Sequence, residues 1–333
     1  MIKRTSPLHI GLIGCSTFAE ERLLPALQAS KDMVLWSVHS RSIQRAYNLS
    51  NRFSAQGPIQ SFAHADALLA DPSVDAVLIA NYDAEHAETA IAAARAGKHL
   101  FVEKPFALTQ ASAEAVARIC QSMNVRCMVG LHQRQLPAHL LLKQKLSEHA
   151  IGEVEKLSLT WSFIDKKSMP WRTKPDKGHW WVLSALGPHA IDLVTWVLEP
   201  TCGHVTSISA TINDDVHHQR MDETATISLR FANNAEAIIS VSCVQASTKE
   251  IEVRGSTGNI VCRNTLGSAG SGEFLLNGVH LPFVPCNPYE DELHAFAQAI
   301  RNREDPSPNA EDGVQNTTLL ERASASSLTK TIW

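Results

Sequence analysis

The chain has no apolar run that approaches the ~18 residues needed to span a bilayer. It also has no large excess of charge of either sign, because 30 basic against 34 acidic residues leave a formal net charge of -4. Without a strongly basic surface, neither nucleic acid nor an anionic membrane is expected as the main partner. We therefore expect the chain to bind a small molecule.

The seven cysteines are scattered and contain no C-x-x-C pair, and the 15 histidines contain no H-E-x-x-H motif. This usage favours neither a disulfide framework nor a zinc site, so no structural metal is expected. The adjacent pair His217 and His218 is predicted to lie in a polar loop. Leu12 to Cys15 resembles a lipoprotein cleavage box, but the apolar segment barely reaches the ~7 residues of a signal sequence. A reducing, cytoplasmic location is expected.

What the chain does have is the composition of an ordinary globular protein: 44% hydrophobic residues, 19% charged residues and a mean hydropathy of -0.10. Its 333 residues predict two domains of about 150 each. We place them at residues 1–131 and 132–333, with the last helix as the element that could return to the first domain.

The first domain is predicted from short apolar runs that alternate with amphipathic helical patterns. The runs end in turn residues and are apolar throughout, which is typical of strands buried on both faces. Six strands separated by helices predict a doubly wound parallel sheet, the Rossmann arrangement. The predicted strands are Leu8–Ile13, Met33–Val38, Ile59–Phe62, Val74–Ala80, His99–Val102 and Arg126–Leu131.

After about residue 150 the apolar period changes to two, as in Leu157, Leu159 and Trp161, and strands follow one another without long helices. An α+β domain on an open, mostly antiparallel sheet is predicted. Helices at 189–198 and 291–300 are expected to cover one face of this sheet. Its polar face could be solvated or could pair with a second copy, which favours a homodimer or homotetramer.

The first predicted strand ends in Gly14-Cys15-Ser16-Thr17-Phe18-Ala19, a variant of the dinucleotide fingerprint with serine at the second glycine position. Glycine permits the tight turn, and small residues let a pyrophosphate approach the backbone at the start of a helix. Gly14, Ser16, Thr17 and Phe18 are therefore candidate cofactor-binding residues. The alternative is a plain strand-to-helix turn that binds nothing.

The second predicted strand ends in His39-Ser40-Arg41-Ser42, without the carboxylate that usually accepts from a ribose 2'-hydroxyl. The hydroxyl of Ser40 and the guanidinium of Arg41 suit a 2'-phosphate instead. We therefore predict a preference for NADP(H), with NAD(H) possible. The alternative is a solvated arginine at a helix start.

Further motifs, spread over nearly the whole chain, together resemble the Gfo/Idh/MocA oxidoreductase family. The motifs are Asp75-Ala76-Val77, His86, Ala96-Gly97-Lys98-His99, Glu103-Lys104-Pro105, Arg134, Ile151-Gly152-Glu153-Val154, Trp171-Arg172, Leu186-Gly187-Pro188-His189-Ala190-Ile191-Asp192 and Arg254-Gly255-Ser256-Thr257-Gly258. The resemblance implies a Rossmann domain with a second α/β domain whose sheet mediates dimers or tetramers. It also implies hydride transfer between NAD(P) and a secondary alcohol or ketone of a sugar, nucleotide sugar or cyclitol.

Such a reaction needs a group that takes the hydroxyl proton and a positive charge near the developing alkoxide. His189 and Lys104 suit these two roles and are the predicted catalytic residues. The resemblance implies that Lys104 reaches both the nicotinamide ribose and the substrate oxygen. It also puts Asn81, Tyr82, His86 and Glu103 with the cofactor.

The chain departs from the family pattern at two places. Ala185 stands where many members carry an aspartate that works with the histidine, and Asn81 and Tyr82 replace the usual threonine and proline. Asp192, three residues after His189 on the same helix face, could orient the imidazole or could be structural.

Aromatic and basic residues in the second domain suit a sugar substrate, because sugar rings stack on indoles and arginine binds phosphate or carboxylate. The predicted substrate-binding residues are Arg134, Trp171, Arg172, Trp181, His189 and Asp192. Trp180 and Trp181 could equally belong to the core.

Three functions remain open from the sequence. The leading one is an NADP(H)-dependent oxidoreductase acting on a sugar-type substrate. The second is a cofactor-binding regulator that has lost catalysis, which Ala185 favours. The third is a cofactor-assisted glycoside hydrolase, a reaction that the family resemblance also admits.

Overall fold

The structure, a computed structural model, describes residues 6–53, 59–164, 171–174, 176–214 and 222–327. His217 and His218 lie outside these residues. The chain divides into two compact units: an N-terminal unit of residues 1–130 and 289–315, and a C-terminal unit of residues 131–288 and 316–333. Segment 289–315, which we expected in the second domain, thus belongs to the first.

The N-terminal unit contains a six-stranded parallel sheet with the strand order β3-β2-β1-β4-β5-β6. The predicted doubly wound Rossmann arrangement is confirmed. Its strands are β1 (Leu8–Ile13), β2 (Met33–His39), β3 (Gln60–Phe62), β4 (Ala76–Ile79), β5 (His99–Val102) and β6 (Cys127–Val129). Its helices include α1 (Leu24–Ala29), α2 (Ile43–Arg52), α3 (Ala65–Leu69), α4 (His86–Arg95) and α5 (Gln110–Ser122).

The penultimate helix corrects one expectation. The stripe Leu293, Phe296, Ala297 and Ile300 was expected to cover the antiparallel sheet. Instead α9 (Pro288–Asn302) packs into the core of the Rossmann unit, where Phe296 meets Phe101 edge to face at 5.9 Å. An amphipathic stripe shows that a helix buries one face, but it carries no information about which sheet receives that face.

The C-terminal unit is built on an eight-stranded sheet with the order β14-β13-β12-β11-β7-β10-β9-β8. Neighbouring strands are antiparallel except for the parallel pair β7 and β10, so the predicted mostly antiparallel sheet is confirmed. The strands are β7 (Val154–Ser162), β8 (Val205–Asn213), β9 (Thr224–Phe231), β10 (Glu236–Ser242), β11 (Glu250–Gly255), β12 (Gly258–Arg263), β13 (Glu273–Leu276) and β14 (Val279–His280).

One face of this sheet is buried against the apolar side of the long helix α8 (Gly187–Cys202). The alternation predicted for Ala225 to Phe231 is present, because every second side chain of β9 is buried. The other helices are α6 (Pro137–Ser147) and α7 (Val182–Ala185), and the division between the units falls inside α10 (Ala310–Ser327). In the part of the chain that the structure describes, no helix combines the length and the apolarity that a bilayer span requires.

Candidate functional site

The end of β1 requires glycine at position 14. Gly14 has φ +102°, and a Cβ built there would lie 2.5 Å from the backbone nitrogen of Asn81 and 2.6 Å from the carbonyl carbon of Ala80. Such distances are far inside van der Waals contact, so only glycine lets the turn pass this close to the end of β4. The carboxyl ends of these two neighbouring strands meet there, which is where ligands of open α/β sheets bind.

The helical segment that follows this turn includes the π-helix Ala19–Leu23 and continues into α1, and a serine side chain binds its first turn. Ser16 Oγ accepts a hydrogen bond from the backbone N–H of Ala19 at 3.1 Å. Thr17 lies in the first helical turn, and the neighbouring Phe18 packs edge to face on Tyr289 at 5.5 Å. Capping by the oxygen leaves the Ser16 O–H group able to donate to an anion at this helix start.

The predicted cofactor residues Arg41 and Tyr82 are brought together. The Arg41 guanidinium lies 4.9 Å from the centre of the Tyr82 ring and donates to Glu85 at 3.3 Å. Its side chain is 66% exposed, so this ion pair is weak and the guanidinium can exchange partners. Ser40 Oγ accepts from the Ser42 backbone N–H. Burial lowers the pKa of the adjacent His39, which leaves Arg41 as the cation at the end of β2.

Asn81 provides the observation that tests whether a cofactor fits here. Its Nδ2 donates to Thr89 Oγ1 at 2.9 Å, whereas its buried Oδ1 accepts no hydrogen bond from the described residues. A buried acceptor without a donor costs free energy. The amide, hydroxyl and ribose donors of a nicotinamide dinucleotide are of the type that this oxygen needs, so the residues present fit such a group.

The loop after β5 is held in place by two polar side chains, those of Glu103 and His86. The buried carboxylate of Glu103 accepts from the Lys104 backbone N–H at 3.2 Å and lies so close to Gly130 that a Cβ there would be 2.7 Å from Oε1. His86 Nδ1 donates to the Pro105 carbonyl at 2.7 Å, and the Lys104–Pro105 peptide bond is cis. These contacts hold Lys104, which is half-buried, at the carboxyl end of β5.

In the C-terminal unit, His189 lies in the first turn of α8 and is only 5% exposed. Its ring meets the ring of His132 at 4.5 Å with an angle of 71°, and the indole of Trp161 at 5.8 Å. His132 begins a short 3-10 helix, His132–Gln135, that follows β6. We did not single out His132 from the sequence, although its position two residues before Arg134 could have drawn attention to it.

Asp192 pairs with Arg134. The guanidinium donates from Nε at 2.9 Å and from Nη2 at 2.6 Å, one bond to each carboxylate oxygen, and both side chains are buried. Arg134 also lies 5.7 Å from the centre of the Trp196 ring. The carboxylate that could orient His189 thus belongs to a bidentate ion pair. The two predicted substrate-binding residues Arg134 and Asp192 bind each other.

Two further buried polar residues, Gln133 and His139, form hydrogen bonds around the short 3-10 helix His132–Gln135. The Gln133 side chain donates to the Gly267 carbonyl at 2.8 Å and accepts from the Gly267 N–H at 3.3 Å. His139 Nδ1 donates to the Gln133 carbonyl at 2.9 Å, and burial lowers the pKa of His139 to about 4. His139 is therefore neutral at pH 7. Sequence reasoning missed it, since a lone histidine on a helix gives no signal.

The predicted aromatic residues separate into two groups. Trp171 and Arg172 are half-buried, with the guanidinium 4.4 Å from the Trp171 ring centre. Trp180 and Trp181 are 5% and 3% exposed and belong to the hydrophobic core. This burial leaves Trp181 little surface for a sugar ring, and its substrate role stays a prediction. Ala185 ends α7.

Sequence comparison gives two family matches. The model described as the oxidoreductase family GFO_IDH_MocA, NAD-binding Rossmann fold, matches residues 8–131, and the C-terminal domain model of that family matches residues 139–261. The first match covers all strands of the parallel sheet, and the second covers β7 to β11 and the start of β12; together the matches span most of the chain.

Individual relatives agree with these matches. The chain is 28% identical to a 1,5-anhydro-D-fructose reductase from Ensifer adhaerens, over 91% of each protein. A 3-ketoreductase from Actinomadura kijaniata, crystallised with NADP and TDP-benzene, superimposes with a TM-score of 0.84 at 24% identity, covering 96% of this chain and 98% of that one. Levoglucosan dehydrogenase in complex with NADH and L-sorbose gives 0.85 at 21% identity and 97% coverage of both chains. At these identities the structural matches show the fold.

Proposed function

The chain belongs to the Gfo/Idh/MocA oxidoreductase family, and we propose that it transfers hydride between NADP(H) and a secondary hydroxyl or ketone of a sugar-type substrate. The observation that carries this proposal is the Glu103-Lys104-Pro105 loop, which is held at the carboxyl end of β5 by the Glu103 and His86 contacts. Ligands of open α/β sheets bind at that end of the strands.

The proposed roles follow from the residue types. Oxidation of a carbinol removes hydride from carbon and a proton from oxygen, and a bound nicotinamide supplies the hydride acceptor. We assign to His189 the acceptance of the hydroxyl proton and to Lys104 the stabilisation of the developing alkoxide. In the reduction of a ketone, His189 returns the proton to the same oxygen.

Activity is tested by the absorbance of reduced nicotinamide with a panel of anhydro-sugars, nucleotide sugars and cyclitols. Lys104→Met and His189→Ala should each lower kcat by about 10²- to 10⁴-fold with NADPH affinity largely retained. Lys145→Met, which removes a lysine paired with Glu148, is the matched control and should leave kcat unchanged. Undiminished turnover in either active-site variant would remove that residue from the mechanism.

The cofactor preference is proposed from Ser40 and Arg41, which directly follow β2 in a turn whose own residues include no carboxylate. A charge-assisted hydrogen bond contributes about 1.5–3 kcal/mol, so Arg41→Ala should weaken NADPH binding by ~10- to 100-fold and leave NADH binding unchanged. Arg118→Ala, an arginine of similar exposure on α5, is the control. Equal losses for both dinucleotides would refute the 2'-phosphate role.

A cofactor-binding regulator is the second candidate, favoured by Ala185, whose methyl group cannot transfer or orient a proton. Tight NADPH binding with no turnover on any member of the panel would support this candidate over the enzyme. The remaining substrate assignments, to Arg134, Trp171, Arg172, Trp181 and Asp192, belong to the enzyme proposal and are tested by their effects on KM.

We infer that the chain works as a homo-oligomer in a reducing cytoplasm. All seven cysteines are free thiols and six of them are buried, which suits a reducing compartment. The polar face of the C-terminal sheet carries Lys156, Glu252 and Arg254, charges of both signs that a two-fold contact could pair. Sedimentation equilibrium should give a dimer or tetramer, and Arg254→Glu should weaken it.

A further inference from the structure

The His189 ring has a buried imidazole neighbour. His132 is 6% exposed, and the two rings meet edge to face at 4.5 Å. Trp161 contributes a second ring, 5.8 Å from His189. Because edge-to-face pairs have preferred geometries, the His132 ring restricts the orientation of the His189 ring.

The protonation state of His132 follows from Gln133. The Gly267 N–H can only donate and its carbonyl can only accept, so Gln133 must direct Oε1 to the nitrogen and Nε2 to the oxygen. The second hydrogen on Nε2 then faces His132 Nε2 at 2.7 Å. His132 Nε2 therefore accepts, and its proton resides on Nδ1.

Protonation of His132 is opposed by the same contact. A hydrogen on His132 Nε2 would face the Gln133 amide hydrogens at 2.7 Å, which is shorter than the 3.3 Å that separates this nitrogen from the Gly267 carbonyl. Turning the Gln133 amide over would place two oxygens and two N–H groups against each other at Gly267. The network thus keeps His132 as a neutral ring.

The nearest carboxylate along the helix is already engaged. Each oxygen of Asp192 accepts a hydrogen bond from Arg134, in a buried bidentate pair. Drawing this carboxylate away from Arg134 would break a buried, bidentate charge pair, which is strongly destabilising. The side chain of Ala185 is a methyl group and has no polar atom.

We propose that His132 is a positioning residue for His189, and that its neutral ring helps to orient the imidazole in a chain whose residue 185 is alanine and not the aspartate of many family members. The inference rests on the proposed function, in which His189 accepts the substrate hydroxyl proton. A neutral neighbour lets His189 take up that proton without repulsion from a second positive charge. The proton stays on His189 until the reverse step or solvent removes it, so His132 is not itself a proton carrier.

Two variants separate ring packing from general structure. His132→Asn removes the ring but keeps an oxygen that can accept from Gln133, and His132→Phe keeps a neutral ring against His189. We expect kcat to fall by about 10- to 100-fold in the asparagine variant, with KM and NADPH affinity unchanged, because only part of the acid–base contribution is lost. The phenylalanine variant should stay within about threefold of the original kcat. An asparagine variant with full kcat, or a phenylalanine variant as slow as it, would overturn the proposal.

A second measurement does not depend on turnover. Nitrogen-15 spectra of the histidine rings at pH 7 should show His132 neutral and protonated on Nδ1, and the order parameter of the His189 ring should fall in His132→Asn but not in His132→Phe. A cationic His132, or unchanged His189 mobility in the asparagine variant, would contradict the inference. If the protein turns over no substrate while these spectra are as expected, the proposed function fails and the positioning contact stands.

Discussion

Removing one partner of the Arg134–Asp192 pair should strongly destabilise the C-terminal unit. The side chains are 6% and 2% exposed, and the two bonds of 2.9 and 2.6 Å are bidentate. Arg134→Met leaves a buried carboxylate without its partner, and Asp192→Leu leaves a buried guanidinium. Breaking such a pair costs about 3–5 kcal/mol, whereas an exposed pair contributes only about 0–1 kcal/mol.

The double variant Arg134→Met with Asp192→Leu provides the critical comparison. The double variant removes both charges. Its loss in the free energy of unfolding should therefore be far below the sum of the losses in the two single variants, with a coupling energy of about 3 kcal/mol. Glu114→Gln, which breaks an exposed pair with Arg118 at 3.5 Å, is the matched control and should cost less than about 1 kcal/mol.

The assay is urea unfolding followed by far-UV circular dichroism and tryptophan fluorescence, with the slope m checked for each variant. Single variants that cost as little as the control, or a double variant whose cost equals the sum, would refute the reasoning. If the double variant folds and retains the substrate KM, Arg134 is structural. A raised KM in that variant would support its proposed contact with substrate.

Three further predictions concern the turn after β1, a buried carboxyl group and the thiols. Gly14→Ala should abolish NADPH binding in a fluorescence titration because its methyl group has no space. Gly97 also has a positive φ, +74°, but a Cβ built there meets nothing within 4 Å. The control variant Gly97→Ala should therefore bind NADPH normally. Burial raises the pKa of Asp222 from 3.8 to about 6, so its contribution to the free energy of unfolding should fall by about 3 kcal/mol between pH ~4 and ~6 and then stay level. Asp222→Asn should remove that slope in urea titrations at several pH values, and a slope that persists would contradict the assignment. Iodoacetamide should label the half-buried Cys286 first and spare Cys262, since burial raises the pKa of the Cys262 thiol to about 12; equal labelling of both would count against this.

Much of the fold was predictable because its signals are local. The strand–helix alternation of the first half, the two-residue period of the second half and the glycine at the end of β1 each depend on a few neighbouring residues. The candidate residue Arg41 was also identified from its place after β2, and the family resemblance added Tyr82, which follows β4. In a parallel sheet the carboxyl ends of strands share one edge, which is why such residues meet.

The amino-acid sequence by itself determined the strands of the parallel sheet and most strands of the antiparallel one, which faces they bury, and where a dinucleotide turn is possible, since these depend on periodicity and on the backbone freedom of single residues. Only the tertiary structure decided that α9 joins the parallel sheet, that Asp192 pairs with Arg134 from 58 positions away, and that His132 lies against His189. These choices depend on which buried surfaces and charges become neighbours after the chain has folded back on itself. A sequence pattern indicates that a side chain is buried or charged, but it does not identify the residue that this side chain contacts.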